Sequence, residues 1–199
     1  MGQISLIISI LALMVSLATF WLTRIRKGTI KMTKPTVIFF GPDGSSADIK
    51  KIFIRTLLYS TSDRGQYIEN MYIRLQRGET TQNFNIWVYG DKDLARGSGL
   101  FISKIGLASN HHFLMPKDGS TFEFRKGNYQ LDIFVELVKM KPIKIYTQPL
   151  IIDEAQEKAL IDKKAGIYFD WAPNAQTYYS HIDIGSKKNS DIADIIESL

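Results

Sequence analysis

Cysteine is absent from the whole chain, which excludes a disulfide framework, a thiolate metal site and a cysteine nucleophile together. The absence fits the cytoplasm without requiring it, because many exported proteins also lack disulfides. Histidine is scarce, with three residues, and no acidic residue occurs before Pro35. No G-x-S-x-G or phosphate-loop motif is present: Gly41 and Gly44 precede no GK[ST], and Arg96-Gly97-Ser98-Gly99 reads as a turn. The 199 residues leave room for one domain of ordinary size plus an appendage.

Charge is distributed unevenly. Arg24, Arg26, Lys27, Lys31 and Lys34 all precede Pro35, which leaves 20 of the 25 Lys and Arg to face all 20 Asp and Glu. The net charge of +5 therefore belongs to one short flank, and the rest is formally neutral. A neutral domain argues against nucleic acid as a partner, since that ligand demands a basic face.

Ile4 to Leu22 carries no charge over 19 residues, enough as a helix to span roughly the ~30 Å hydrocarbon core. Eleven of these residues are Leu, Ile, Val or Phe, together worth on the order of −3 to −6 kcal/mol toward insertion. Phe20 and Trp21 end the stretch, where aromatic rings prefer the headgroup level. A cleaved signal peptide is the competing reading, but Met1-Gly2-Gln3 gives no basic start and bulky Trp21-Leu22 replaces a small-x-small cleavage site. Myristoylation fails because Leu6 stands where Ser or Thr is needed. Residues 1–23 thus read as a retained signal-anchor and 24–34 as its basic flank. The positive-inside rule keeps that flank within the cell, so the chain is expected at the plasma (inner) membrane, N-terminus outside and domain cytoplasmic. The flank is also able to attract anionic lipid.

Gly2, Ser5, Ser9, Ala12, Ser16 and Thr19 are spaced 3, 4, 3, 4, 3, which sets small residues along one helix face. Transmembrane helices pack closely through such faces, which points to self-association or a membrane-protein partner. The plain alternative is that small residues are tolerated anywhere in an anchor.

Residues 35–184 read as a β-rich domain. Thr36–Phe40 is apolar and ends at a Gly41–Ser46 turn, followed by a β-rich run over Lys51–Tyr59. Met71, Ile73 and Leu75 alternate with polar neighbours, and Phe84, Ile86 and Val88 share the apolar face of a second alternating run. Further strands are expected at Leu100–Ile105, His111–Met115, Thr121–Arg125, Tyr129–Leu137 and Ile143–Ile152. This spacing predicts an antiparallel sandwich or barrel.

The run Gly127-Asn128-Tyr129-Gln130-Leu131-Asp132-Ile133-Phe134-Val135-Glu136-Leu137 resembles strand F of the immunoglobulin-like β-sandwich superfamily, whose tyrosine corner follows a turn glycine. The resemblance implies an immunoglobulin-like sandwich over about Pro35 to Ile152. It departs from antibody domains in having no disulfide, with Leu131 at the second cysteine's place and Trp87 late for the strand C tryptophan. The superfamily hosts too many functions to imply one.

From residue 153 an appendage is expected. Asp153 and Gln156 form a capping pair for a helix from Glu154 to about Lys164, with Gly166 at its C′ position. Strands follow at Ile167–Trp171 and Tyr178–Ile184. Residues 185–199 read as a linker and an amphipathic tail, in which Ile192, Ile195, Ile196 and Leu199 share one face and dock on the domain or on a partner.

No catalytic, cofactor or metal residue is assigned. Adjacent His111 and His112 point to opposite faces of a strand and cannot easily chelate one ion, even with His181 added. Asp91-Lys92-Asp93 lacks the later positions of a calcium loop. Trp171, Tyr178 and Tyr179 are either core or an exposed aromatic patch. The expectation is a membrane-anchored binding or scaffold module; an enzyme with a loop-built site, gathering His111 or His112 with Asp132 or Asp170, and an exported adhesion module are the alternatives.

Overall fold

A computed structural model describes residues 2–26, 28–43, 46–91, 93–97, 99–116, 118, 121–162 and 165–184. Lys27 of the flank and the predicted tail face of Ile192, Ile195, Ile196 and Leu199 lie outside the described residues.

The uncharged N-terminal run forms helix α1 (Gly2–Phe20), which continues as a wider π turn over Trp21–Ile25. Its 24 residues are long and apolar enough to cross a membrane, at about 36 Å for an α-helical rise. After it come β1 (Ile30–Met32), β2 (Val37–Asp43), β3 (Ser46–Ser60), β4 (Gln66–Arg77), β5 (Thr80–Phe84), β6 (Ile86–Tyr89), β7 (Ala95–Arg96), β8 (Leu100–Ile102), β9 (Leu107–Leu114), β10 (Gly127–Leu137), β11 (Ile143–Ile152), α2 (Glu154–Asp162), β12 (Gly166–Ala172) and β13 (Thr177–Asp183). Strand makes up 54% of the chain, so the protein is mainly β.

The strands form two antiparallel sheets. The first runs β13-β12-β2-β3-β9-β6-β7 with β1 also on β3; the second runs β11-β10-β4-β5 with β8 on β4. Side chains of period two make the two sheets share one core. From the first come Ile38, Phe40, Ile52, Ile54, Phe113 and Phe169, and from the second Met71, Ile73, Leu75, Leu131, Ile133 and Val135. In the centre of the second sheet Leu131 lies opposite Leu75 and Ile133 opposite Ile73, all buried. Each such side chain is worth about 1.5–3 kcal/mol.

Four local expectations fail, each for a physical reason. Phe84 to Tyr89 is two strands, because the chain leaves the second sheet at Asn85 and enters the first. The crossing reverses the faces, so Trp87 is buried with Phe84 while Ile86 and Val88 are only half-buried. Thr121–Arg125 pairs with no strand; Phe122 and Phe124 instead meet edge to face at 5.3 Å, and Phe124 stacks on Phe40. β2 continues through the expected turn to Asp43, since beyond Phe40 it no longer pairs with β12 and a proline is tolerated beside a free edge. Gly166 opens β12 rather than capping α2: a Cβ there would sit 2.1 Å from the Phe39 ring, so only glycine lets that ring lie on the backbone.

The predicted start of α2 is present as a reciprocal cap. Asp153 Oδ1 accepts from the Gln156 amide at 2.8 Å, and Gln156 Oε1 from the Asp153 amide at 3.0 Å. β12 then joins the first sheet beside β2.

Candidate functional site

Every described residue of α1 is exposed to the surroundings of the chain; none packs on the domain. The small face of Gly2, Ser5, Ser9, Ala12, Ser16 and Thr19 therefore has no partner within the described residues. Ser9 Oγ donates to the Ser5 carbonyl at 2.9 Å and Thr19 Oγ1 to Val15 at 2.8 Å, so both hydroxyls are satisfied by the helix itself and tolerate hydrocarbon.

The helix exit is held by the β3–β4 loop. Thr29 and Thr61 exchange backbone and side-chain hydrogen bonds, Gln66 Nε2 donates to the Gly28 carbonyl, and the Arg64 guanidinium donates to the Arg24 carbonyl at 3.4 Å. Arg24, Arg26 and Lys31 are exposed, as expected of a flank. Lys34 departs from that role: its Nζ lies 3.4 Å above the Trp171 ring, a cation–π contact.

Lys34 and Trp171 belong to a cleft of about 430 Å³ where β11, the last strand of the second sheet, approaches the β12–β13 hairpin, the last of the first. Gln148, Ile151, Tyr178 and Ser180 are among its walls. Trp171 and Tyr178 are half-buried with ring centres 5.1 Å apart, and Tyr178 Oη donates to the Pro35 carbonyl at 2.7 Å. Burial, reinforced by the neighbouring Tyr146 phenol, pushes the Tyr178 hydroxyl far above its ordinary pKa. Burial also raises Tyr146, whose hydroxyl donates to Gln148 Oε1 at 2.8 Å. The cleft thus offers one cation, flat aromatic walls and the protonated Tyr178 phenol, and no carboxylate or imidazole stands among its described lining residues. Tyr179 alone of the predicted patch is largely exposed.

The histidines stand apart. His111 is fully buried, and its Nδ1 accepts from Trp87 Nε1 at 3.2 Å, which fixes the proton on Nε2. That Nε2 has no partner among the described residues, and burial together with His112 pushes the pKa down to about 4 against the opposing pull of Asp91. His112 packs against the Phe53 ring, and burial, then Lys51, lowers its pKa. His181 Nδ1 meets Asp170 Oδ2 at 3.2 Å on an exposed surface. Among the described residues no three His, Asp or Glu side chains come together as a metal group.

Asp132, a candidate partner for a histidine, faces elsewhere. On β10 it is nearly buried and accepts from Thr147 Oγ1, from Gln130 Nε2 at 3.1 Å and from Lys144 Nζ at 3.4 Å. Burial alone would raise its pKa, but the Thr147 and Gln130 bonds and the Lys144 charge outweigh it and hold the carboxyl below the ordinary range. This is a satisfied network, beside which Arg74 lies 4.9 Å over the Phe134 ring. Asp91, from the run that falls short of a calcium loop, is likewise engaged, by Arg55 Nη1 at 3.1 Å and the Asn110 amide.

At the start of β10, Gly127 adopts φ +143°, and Tyr129 Oη reaches back to the Arg125 carbonyl at 2.6 Å. This is the hydrogen bond a tyrosine corner makes.

The fold and site define the class only to this level: a mainly β protein of two antiparallel sheets behind an apolar helix. Comparison with family models, curated proteins and solved structures found no match.

Proposed function

We propose that the chain is a single-pass membrane protein whose domain, an immunoglobulin-like sandwich, serves as a non-enzymatic binding or scaffold module at the cytoplasmic face of the plasma membrane. The observation that carries the reading is the complete exposure of α1: a helix of this hydropathy with no buried residue needs an apolar surrounding that the domain does not supply. Retention of the helix is supported by its continuation through Ile25 and by the ties of Arg24, Gly28 and Thr29 to the domain, which leave little extended chain for a signal peptidase. The basic residues at the exit support a cytoplasmic domain. The tyrosine-corner bond and the shared core support the sandwich.

Assembly through the small face of α1, with itself or a membrane partner, follows from the unpartnered row of Gly2, Ser5, Ser9, Ala12, Ser16 and Thr19. The cleft at Lys34 supports binding over catalysis, since its Tyr178 phenol stays protonated and His111, His112, Asp132 and Asp170 are engaged elsewhere. The test is the intact mass of the chain from alkaline-extracted membranes, before and after chemical crosslinking. An uncut chain that remains in the membrane and crosslinks to itself or a second membrane protein is expected. A chain lacking residues up to the Trp21 region, or one washed free, overturns the anchor; an uncut chain that never crosslinks overturns the scaffold.

A further inference from the structure

Three chain reversals emerge from the end of the domain where α1 enters it. Ile30 pairs with Ser60, so the β3–β4 loop of residues 61–65 lies beside the helix exit. The Ser60 amide donates to the Ser103 carbonyl, and Gln66 pairs with Ile102, which brings the β8–β9 tip of residues 103–106 to the same end. Leu137 pairs with Ile68, so the β10–β11 turn of residues 138–142 reverses there as well.

Their tips combine two chemistries. Ile105 is 91% exposed, Val138 52% and Met140 49%, all apolar side chains at points where a polar residue would cost nothing. Interleaved with them are Arg64, Lys104, Lys139 and Lys141, against a single acid, Asp63, which Lys104 pairs at 2.9 Å. Behind Ile105, the exposed rings of Tyr67 and Phe101 meet at 4.9 Å.

We propose that this rim is a membrane-docking face that seats the domain on an anionic bilayer surface. The inference rests on the reading of α1 as a retained anchor. Four residues, Arg26 to Thr29, join the helix to the domain, a reach of at most about 14 Å, and Gly28 and Thr29 are themselves bonded to Gln66 and Thr61. The tips are thereby held within the depth of the headgroup layer, where Ile105, Val138 and Met140 reach acyl chains and the lysines meet lipid phosphate. Apolar tips in a basic setting match anionic lipid: within the three reversals four cations stand against the one acid Asp63, and Ile105, Val138 and Met140 remain exposed.

The absence of native cysteine makes single-cysteine probes clean. A polarity-sensitive fluorophore is attached in turn at I105C, M140C, E79C and L13C in the full chain, reconstituted in phosphatidylcholine vesicles with or without one part in three phosphatidylglycerol. Glu79 lies at the far end of β4, roughly 35 Å from the rim, and Leu13 in the middle of α1. With brominated acyl chains as quencher, the probes at 105 and 140 are expected to be quenched at least twofold more in anionic than in neutral vesicles, and the probe at 79 in neither. Converting Lys104, Lys139 and Lys141 to Glu is expected to lower the docked fraction, at about fivefold in the docking equilibrium per lysine lost. All three are exposed, so an unchanged melting temperature shows that the fold persists. Quenching at 13 without quenching at 105 and 140 overturns the docking face and leaves the anchor standing. No quenching at 13 overturns the anchor and the docking face with it. Equal quenching in both lipids overturns the recognition of anionic headgroups.

Discussion

Acidification from pH 6.5 to 4 is predicted to weaken the domain by about 3 kcal/mol through His111 alone. In the unfolded chain this imidazole titrates near 6.5, whereas in the fold burial beside Trp87 and His112 holds it down to about 4. Between these values the unfolded state binds the proton and the folded state does not, so stability is complete above pH 6.5. It falls steadily toward pH 4 and levels below. At about 1.36 kcal/mol for each step of pH, the interval gives the stated figure. His112, also depressed, acts in the same direction, so the comparison must isolate His111. His111→Gln keeps an acceptor for Trp87 Nε1 and removes the titration. Urea unfolding of the full chain in detergent, followed by tryptophan fluorescence from pH 7.5 to 4, is the assay. The original chain should lose about 3 kcal/mol more than the variant across the window. Parallel curves for the two would refute the placement of His111 in the core.

Tyr129→Phe removes the hydroxyl that meets the Arg125 carbonyl and should cost about 1 kcal/mol in the same unfolding assay; no change would mean that the corner is ornamental. Asp153→Ala opens the reciprocal cap of α2 and should cost about 1 kcal/mol, read as a drop in melting temperature, with Asp153→Ser recovering most of it. Ser9→Leu with Ser16→Leu fills the small face of α1 and should abolish any oligomer resolved in detergent, while an unchanged assembly would remove the helix-packing role.

The parts of the fold legible in the sequence were those set by local pattern. β10 follows from the alternation of Tyr129, Leu131, Ile133, Val135 and Leu137, all buried, α2 from the Asp153 and Gln156 pair, and α1 from an uncharged run. Misreadings fell where tertiary context decides. Phe122 and Phe124 alternate as a strand would, yet lie outside both sheets and pack on one another, with Phe124 against Phe84. The reversal of faces at Asn85 depends on which sheet the chain joins next, which no local period records. Of the candidate sites, the small helix face and the basic flank were visible because each is a contiguous segment. The cleft was not, since Lys34 and Trp171 lie far apart in sequence and meet only through the pairing of β12 with β2. The Asn110-His111-His112 run placed its two imidazoles on opposite faces without showing which was inside; the Trp87 partner on β6 supplies that answer.

Labelling of E79C in intact cells by a membrane-impermeant maleimide tests the central claim most directly, because the chain has no other thiol and Glu79 is exposed at the tip of the β4–β5 turn. The account predicts that the residue stays unlabelled until the membrane is permeabilised and then reacts fully; labelling in intact cells would contradict a domain held on the cytoplasmic side.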